Sequence, residues 1–189
     1  MAAESPSPFE LPPPDPALDH FARLGLTRAH GLDREALESS YLERSRAVHP
    51  DRFAASDDVH RGRAMQHASL LNEAYATLRD PVRRAEYLVK LAGRDLDSTD
   101  PVRGAPTPSQ MFLIDMIERR EKLQEIGGDA EALGDLRDDV EDERDRTLDI
   151  AVEALGAGPQ VANLEGAAAA LVTHRYLSRF LEEIEAADA

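Results

Sequence analysis

The run Val48-His49-Pro50-Asp51-Arg52-Phe53 separates two segments of helical periodicity, and no other stretch restricts the fold of this chain as tightly. Proline cannot continue a helix, and it biases the residue before it away from the α region. The chain must therefore bend at His49-Pro50, so the flanking segments are predicted to run back to back as an antiparallel helical hairpin. An imidazole and a carboxylate sit on the forced bend, which makes the apex polar and stiff. Two roles fit such an apex. It can be an ordinary connecting turn, with Asp51 capping the next helix or pairing with a nearby arginine, or it can be a contact point for another protein.

The rest of the chain reads as helix throughout. Asp19 can cap a short helix containing Phe21 and Leu24, with Gly25 placed to end it. Asp33 is a suitable N-cap for a helix through Leu37 and Tyr41 to Val48, and Leu32 and Leu37 have the spacing of a hydrophobic staple. From about Asp58, Ala64, Ala68, Leu71, Tyr75 and Leu78 recur in three- and four-residue steps, forming one apolar stripe that faces the preceding helix. Asp80-Pro81 has the form of an N-cap followed by proline in the first turn, and it opens a shorter helix that Gly93 can stop.

Residues 94–107 are rich in proline and glycine and read as a linker. Beyond them lie three longer helices, separated at Gly127-Gly128 and at Gly156-Ala157-Gly158-Pro159. Their stripes are Phe112, Met116, Leu123, Ile126; then Leu133, Leu136, Val140, Thr147, Ala151; then Leu164, Ala168, Leu171, Leu181, Ile184. Short turns between such stripes imply a three-helix bundle. Residues 1–17 carry six of the twelve prolines and little periodic pattern, so this segment is expected to be disordered.

Composition excludes several functions. There is no cysteine, hence no disulfide framework and no thiolate with which this protein could hold an iron–sulfur cluster. No cofactor is expected. No apolar run has transmembrane length, and the proline-rich start with Glu4 and Glu10 resembles no leader, so the expected compartment is a bacterial-type cytoplasm. Residues 19–92 carry 12 Arg/Lys against 11 Asp/Glu, whereas residues 107–189 carry 8 against 20. A strongly acidic second half argues against nucleic acid and anionic membranes as partners. No Ser-His-Asp pattern or glycine-rich phosphate loop is present, and the chain reads as a non-enzyme. His60 and His67 share a helix without a third ligand, and the ten Asp/Glu between 129 and 149 spread around theirs, which leaves a metal-dependent hydrolase little support.

Around the bend the sequence resembles the J domain, the co-chaperone module that stimulates a DnaK-class ATPase. Tyr41 lies eight residues before His49, and Asn72-Glu73-Ala74-Tyr75-Ala76-Thr77-Leu78-Arg79-Asp80-Pro81 is similar to the end of that family's third helix. Arg83-Arg84-Ala85-Glu86-Tyr87-Leu88-Val89-Lys90-Leu91 and Phe112 to Glu121 are similar to one branch, the HscB co-chaperones of iron–sulfur cluster assembly. The resemblance runs from Asp19 to the C-terminus. It implies an all-α protein with a J domain at 18–93 and a three-helix scaffold-binding domain at 108–189.

It also implies that His49, Pro50, Asp51 and Arg52, with Arg44 and Arg46 on the preceding helix, contact an HscA-like ATPase. Leu42, Glu43 and Ala47 depart from the basic residues often found on that helix, which points to a specialised partner. In the helix 110–126, Leu113, Ile114 and Ile117 lie on an arc beside the core stripe, close to Glu118, Arg120 and Glu121. A surplus apolar arc rimmed by charge marks a binding surface, although packing against the J domain would bury the same residues. By resemblance this arc, with Tyr176 from the last helix, binds an IscU-type scaffold. A J protein of another branch, whose bundle binds a different client or mediates dimerisation, is the competing reading.

Overall fold

The computed structural model describes residues 11–158 and 160–188, where seven α-helices and no strand are found. The chain divides into two compact units, the first ending at Arg84 and the second starting at Ala85.

In the first unit, Asp19 caps α1 (His20–Arg23) through a 2.8 Å bond from the Ala22 amide. Gly25 follows at φ +65°, a conformation that favours glycine, and the Arg44 guanidinium lies over it. Asp33 caps α2 (Arg34–Ala47), accepting from the amides of Glu35 and Ala36. A 3₁₀ turn over Pro50–Phe53 leads towards α3 (Asp58–Arg79), which is capped by Asp57. The hairpin closes on Phe21, Leu24, Leu37, Phe53, Ala64, Leu71, Ala74 and Leu78, all buried. Tyr41 stacks on Tyr75 with ring centroids 4.3 Å apart, and its hydroxyl donates to Asn72 Oδ1 at 2.8 Å, which fixes the register of α2 on α3.

Helix α4 (Pro81–Leu91) begins in the first unit, with Asp80 accepting from the Val82 and Arg83 amides. From Ala85 it belongs to the second unit, where Ala85, Leu88 and Val89 are buried and Arg175 bonds Glu86 at 2.5 Å. The compact first unit thus ends before Gly93, where the sequence placed the J-domain limit. The presumed linker also differs from expectation. Leu96 is buried, Arg94 donates to the Gly104 carbonyl, and Arg175 reaches Asp97, so residues 94–104 form a pinned turn within the second unit. Local caps by Asp95 and Asp100 shape it. Such caps have the same composition as a flexible linker.

Helices α5 (Gln110–Ile126), α6 (Ala130–Leu155) and α7 (Leu164–Ala187) form the bundle. Its core is Met116, Leu133, Leu136, Val140, Leu177, Phe180, Leu181 and Ile184, with Phe112, Leu123 and Ile126 packed against it. Ser109, Asp129 and Asn163 cap the three N-termini. Gly127 and Gly156 end α5 and α6 at positive φ, while Pro159 lies outside the described residues.

Residues 1–10 of the tail expected to be disordered also lie outside the described residues. Leu11 to Leu18, by contrast, follow a defined course. Arg63 donates to the Leu11 carbonyl at 3.0 Å, His67 Nε2 lies 2.9 Å from the Pro12 carbonyl, and Arg23 donates to the Asp15 carbonyl at 2.7 Å. Backbone carbonyls accept these bonds, so no side-chain pattern in the segment announces them.

Candidate functional sites

The bend is built from both directions. Helix α2 stops at Ala47, and Val48 closes it by donating its amide to the Arg44 carbonyl. His49 then adopts φ −59°, ψ 130°, the extended conformation that a following proline favours, and Pro50 starts the 3₁₀ turn. Phe53 is 5% exposed and anchors the far side of the loop in the hairpin core. Between these fixed points the functional groups stand in solvent, His49 with 54% and Asp51 with 90% of the side chain exposed.

The Asp51 amide donates to His49 Nδ1 at 3.3 Å. The same Nδ1 lies 3.5 Å from an Asp51 carboxylate oxygen, so the two polar groups face each other across the turn. The helix that follows is capped by Asp57 and not by Asp51, which removes capping as the reason for Asp51. The loop offers an imidazole and an exposed carboxylate on a bend that Pro50 restricts, as a recognition tip requires.

The arginines flanking it are not equivalent. Arg46 and Arg52 are exposed near the tip, with the Arg46 carbonyl accepting a long 3.4 Å bond from Arg52. Arg44 lies over Gly25 and bonds Ser40, whose hydroxyl in turn bonds the Leu24 carbonyl. Leu42 is 42% exposed on the same helix.

In the second unit, α5 divides its apolar residues between two faces. Met116 is buried, while Ile114 is 48% and Ile117 56% exposed; Leu113 is half-buried. Met111, 80% exposed, stands one turn before Ile114 and extends the arc. The sequence reading did not single it out, although its i, i+3 spacing to Ile114 carried the signal. Tyr176 is half-buried on α7 and meets Phe112 edge to face, with centroids 5.7 Å apart and planes at 84°.

Glu118 and Glu121 rim the arc as exposed carboxylates. Arg120 instead forks onto Glu183 through two 2.8 Å bonds and lies 6.0 Å from the Phe180 ring. Its hydrogen bond to Glu183 raises the Arg120 pKa, and the same bond lowers that of Glu183. Arg120 therefore fixes α5 to α7 and frames the arc. Among the described residues, no helix is long and apolar enough to cross a membrane, and no group of three or more His, Asp or Glu could hold a metal ion.

A capped helical hairpin with an exposed His-Pro-Asp apex, joined to a helical C-terminal domain, defines a J-domain protein, and comparison with known proteins narrows the class. A family model described as the HSCB C-terminal oligomerisation domain matches residues 108–185. A co-chaperone protein HscB homolog of Burkholderia mallei is 36% identical over 169 residues, 88% of this chain and 92% of that relative. The homolog of Cupriavidus taiwanensis is 47% identical over 107 residues, 57% of this chain and 58% of its own length. The crystal structure of human co-chaperone protein HscB superposes with a TM-score of 0.77 at 27% identity, covering 98% of this chain and 93% of that one. The chain belongs to the HscB co-chaperone family.

Proposed function

We propose that this protein stimulates the ATPase of a DnaK/HscA-class chaperone and delivers an IscU-type scaffold to it during iron–sulfur cluster assembly and transfer. The apex residues His49, Pro50, Asp51 and Arg52, with Arg44 and Arg46 behind them, engage the ATPase. Leu113, Ile114 and Ile117, with Glu118, Arg120, Glu121 and Tyr176 around them, receive the scaffold. Holding both partners raises their effective concentration, and the loop biases the ATPase towards the state that grips the client. ATP hydrolysis itself belongs to the partner. The site of action is the cytoplasm.

The observation that carries the reading is the exposed His49-Pro50-Asp51 apex, clamped between the end of α2 and buried Phe53 and not used to cap α3. The test is the steady-state ATPase rate of an HscA-class chaperone with this protein, with and without an IscU-type scaffold. Stimulation by the protein alone and a further rise with scaffold is the expected result; an unchanged rate in both arms refutes the reading.

A second reading, self-association through the C-terminal unit, is favoured by the description of the matched family model and by the same exposed arc. Under it, sedimentation gives a dimer that replacing Ile114 and Ile117 by serine dissolves. Under the first reading the same replacement weakens scaffold binding instead.

A further inference from the structure

The segment from Leu11 to Leu18 lies over a groove beside the loop, to which the loop reading assigns only Arg44. Beneath it is a cavity of about 250 Å³, floored by Ala47, Val48, Leu70 and Leu71. Arg23, Arg44 and His67 also line it, and Arg63 stands one turn from His67 on α3. Among the described residues, Arg23, Arg63 and His67 each meet a backbone carbonyl of the segment, a neutral acceptor. Asp15 is the carboxylate the segment brings to the lining, and its side chain also accepts from the Ala17 amide.

The segment itself is lightly held. Only Leu11 and Pro14 are partly buried, and the other residues of the segment are exposed. The groove adjoins the apex, because Val48 precedes His49 directly and Arg44 lies one turn earlier. On α2, meanwhile, Glu38, Leu42 and Glu43 are exposed beside Arg46, so that surface offers little net positive charge. Arg46 and Arg52 stand exposed at the tip itself, while Arg23, Arg44 and Arg63 gather beside the segment.

We propose that Leu11–Leu18 is a displaceable strap, and that the groove beneath it receives an acidic, apolar-bearing segment of the same partner that the His-Pro-Asp loop engages. This rests on the loop reading given above. A carboxylate replaces the neutral carbonyl at Arg23 or Arg63 with a charge-assisted bond, or pairs with Arg44, and an apolar side chain enters the space above Leu70 and Leu71. The strap thereby sets a threshold for engagement without touching the loop.

The absence of cysteine allows a clean test in the full chain. Pro12→Cys with His67→Cys, bridged by a short bis-maleimide, locks the strap; the same protein with both thiols singly capped leaves it free. With an HscA-class ATPase, locking is expected to raise the concentration for half-maximal stimulation at least ~3-fold, and the free form is expected to weaken more steeply with salt. The pair Leu11→Cys with Arg63→Cys repeats the test should the first disturb the helical far-UV spectrum. Equal stimulation by locked and free proteins overturns the strap. A His49→Gln control in the free form separates the two readings: stimulation that survives it overturns the loop assignment, whereas a silent control beside an indifferent lock overturns the strap alone.

Discussion

The apex of the first unit and the arc on α5 present opposite chemistries by opposite means. At the apex, a backbone constraint pushes polar groups outward: Pro50 forces the bend, Phe53 anchors it, and His49 and Asp51 have nowhere to be buried. On α5, no backbone feature is unusual. The helix carries more apolar side chains than its partners can cover, so Met116 fills the core while Met111, Ile114 and Ile117 remain in solvent. A site built by constraint tolerates little substitution at its few residues, whereas a site built by surplus area loses affinity by increments.

The largest effect expected from this difference is at the apex. His49→Gln or Asp51→Asn should abolish ATPase stimulation while thermal unfolding stays unchanged, because neither side chain contributes to the core. Retained stimulation would erase the distinction between the sites.

Next comes a change inside the bundle. Phe180 is fully buried on α7, and Phe180→Ala should cost about 3–5 kcal/mol of stability, read by denaturant unfolding. A cost as small as that of surface residues would mean that the core beneath the arc is loosely packed.

Smaller again is the arc. Replacing Ile114 and Ile117 together by serine should weaken scaffold binding by about 2 kcal/mol, measured by calorimetry, with little change in unfolding. A large fall in stability with binding intact in the folded fraction would turn the arc into structure.

The smallest effect is a pH dependence confined to the first unit's histidines. Burial lowers the pKa of both His20 and His30; for His30 the Pro81 carbonyl, 3.0 Å from Nε2, opposes this only in part. Folding thus favours the neutral rings, and the unfolded chain binds more protons below the ordinary histidine pKa of about 6.5. Their contribution is present above that value and is lost as pH falls through it and on through the lower folded values. Stability should therefore drop between pH 7 and 5, and His30→Gln should flatten the drop. A variant with the same profile as the parent would assign the dependence elsewhere.

Much of this fold was legible because its signals are local. Asp19 and Asp33 act within three residues of themselves, the glycines at 25, 93 and 127 take positive φ, and each bundle stripe recurs within one helix. The apex was legible for the same reason, since Pro50 acts on its neighbours.

What escaped depends on distant partners. The course of Leu11–Leu18 is set by Arg63 and His67, some fifty residues away, acting on carbonyls that every sequence possesses. Glu86, just past the unit boundary at Arg84, is bonded by Arg175 of α7, and Arg120 on the rim of the arc is held by Glu183 of the same helix. Periodicity also placed Leu113 on the arc together with Ile114 and Ile117. It did not show that Leu113 is the more covered of the three, or that Met111 prolongs the exposed row.

The central claim is that two partners use two separate surfaces, and the spectrum of the full chain can test it directly. All five isoleucines lie in α5, α6 and α7, and of the six histidines only His49 is at the apex. With isoleucine methyl and histidine ring signals recorded together, an IscU-type scaffold should shift Ile114 and Ile117, spare buried Ile184, and leave His49 unmoved. Addition of an HscA-class ATPase should shift His49 and leave the isoleucines in place. If the scaffold moves His49, or the ATPase moves Ile114 and Ile117 while His49 stays still, the division of labour between apex and arc is contradicted.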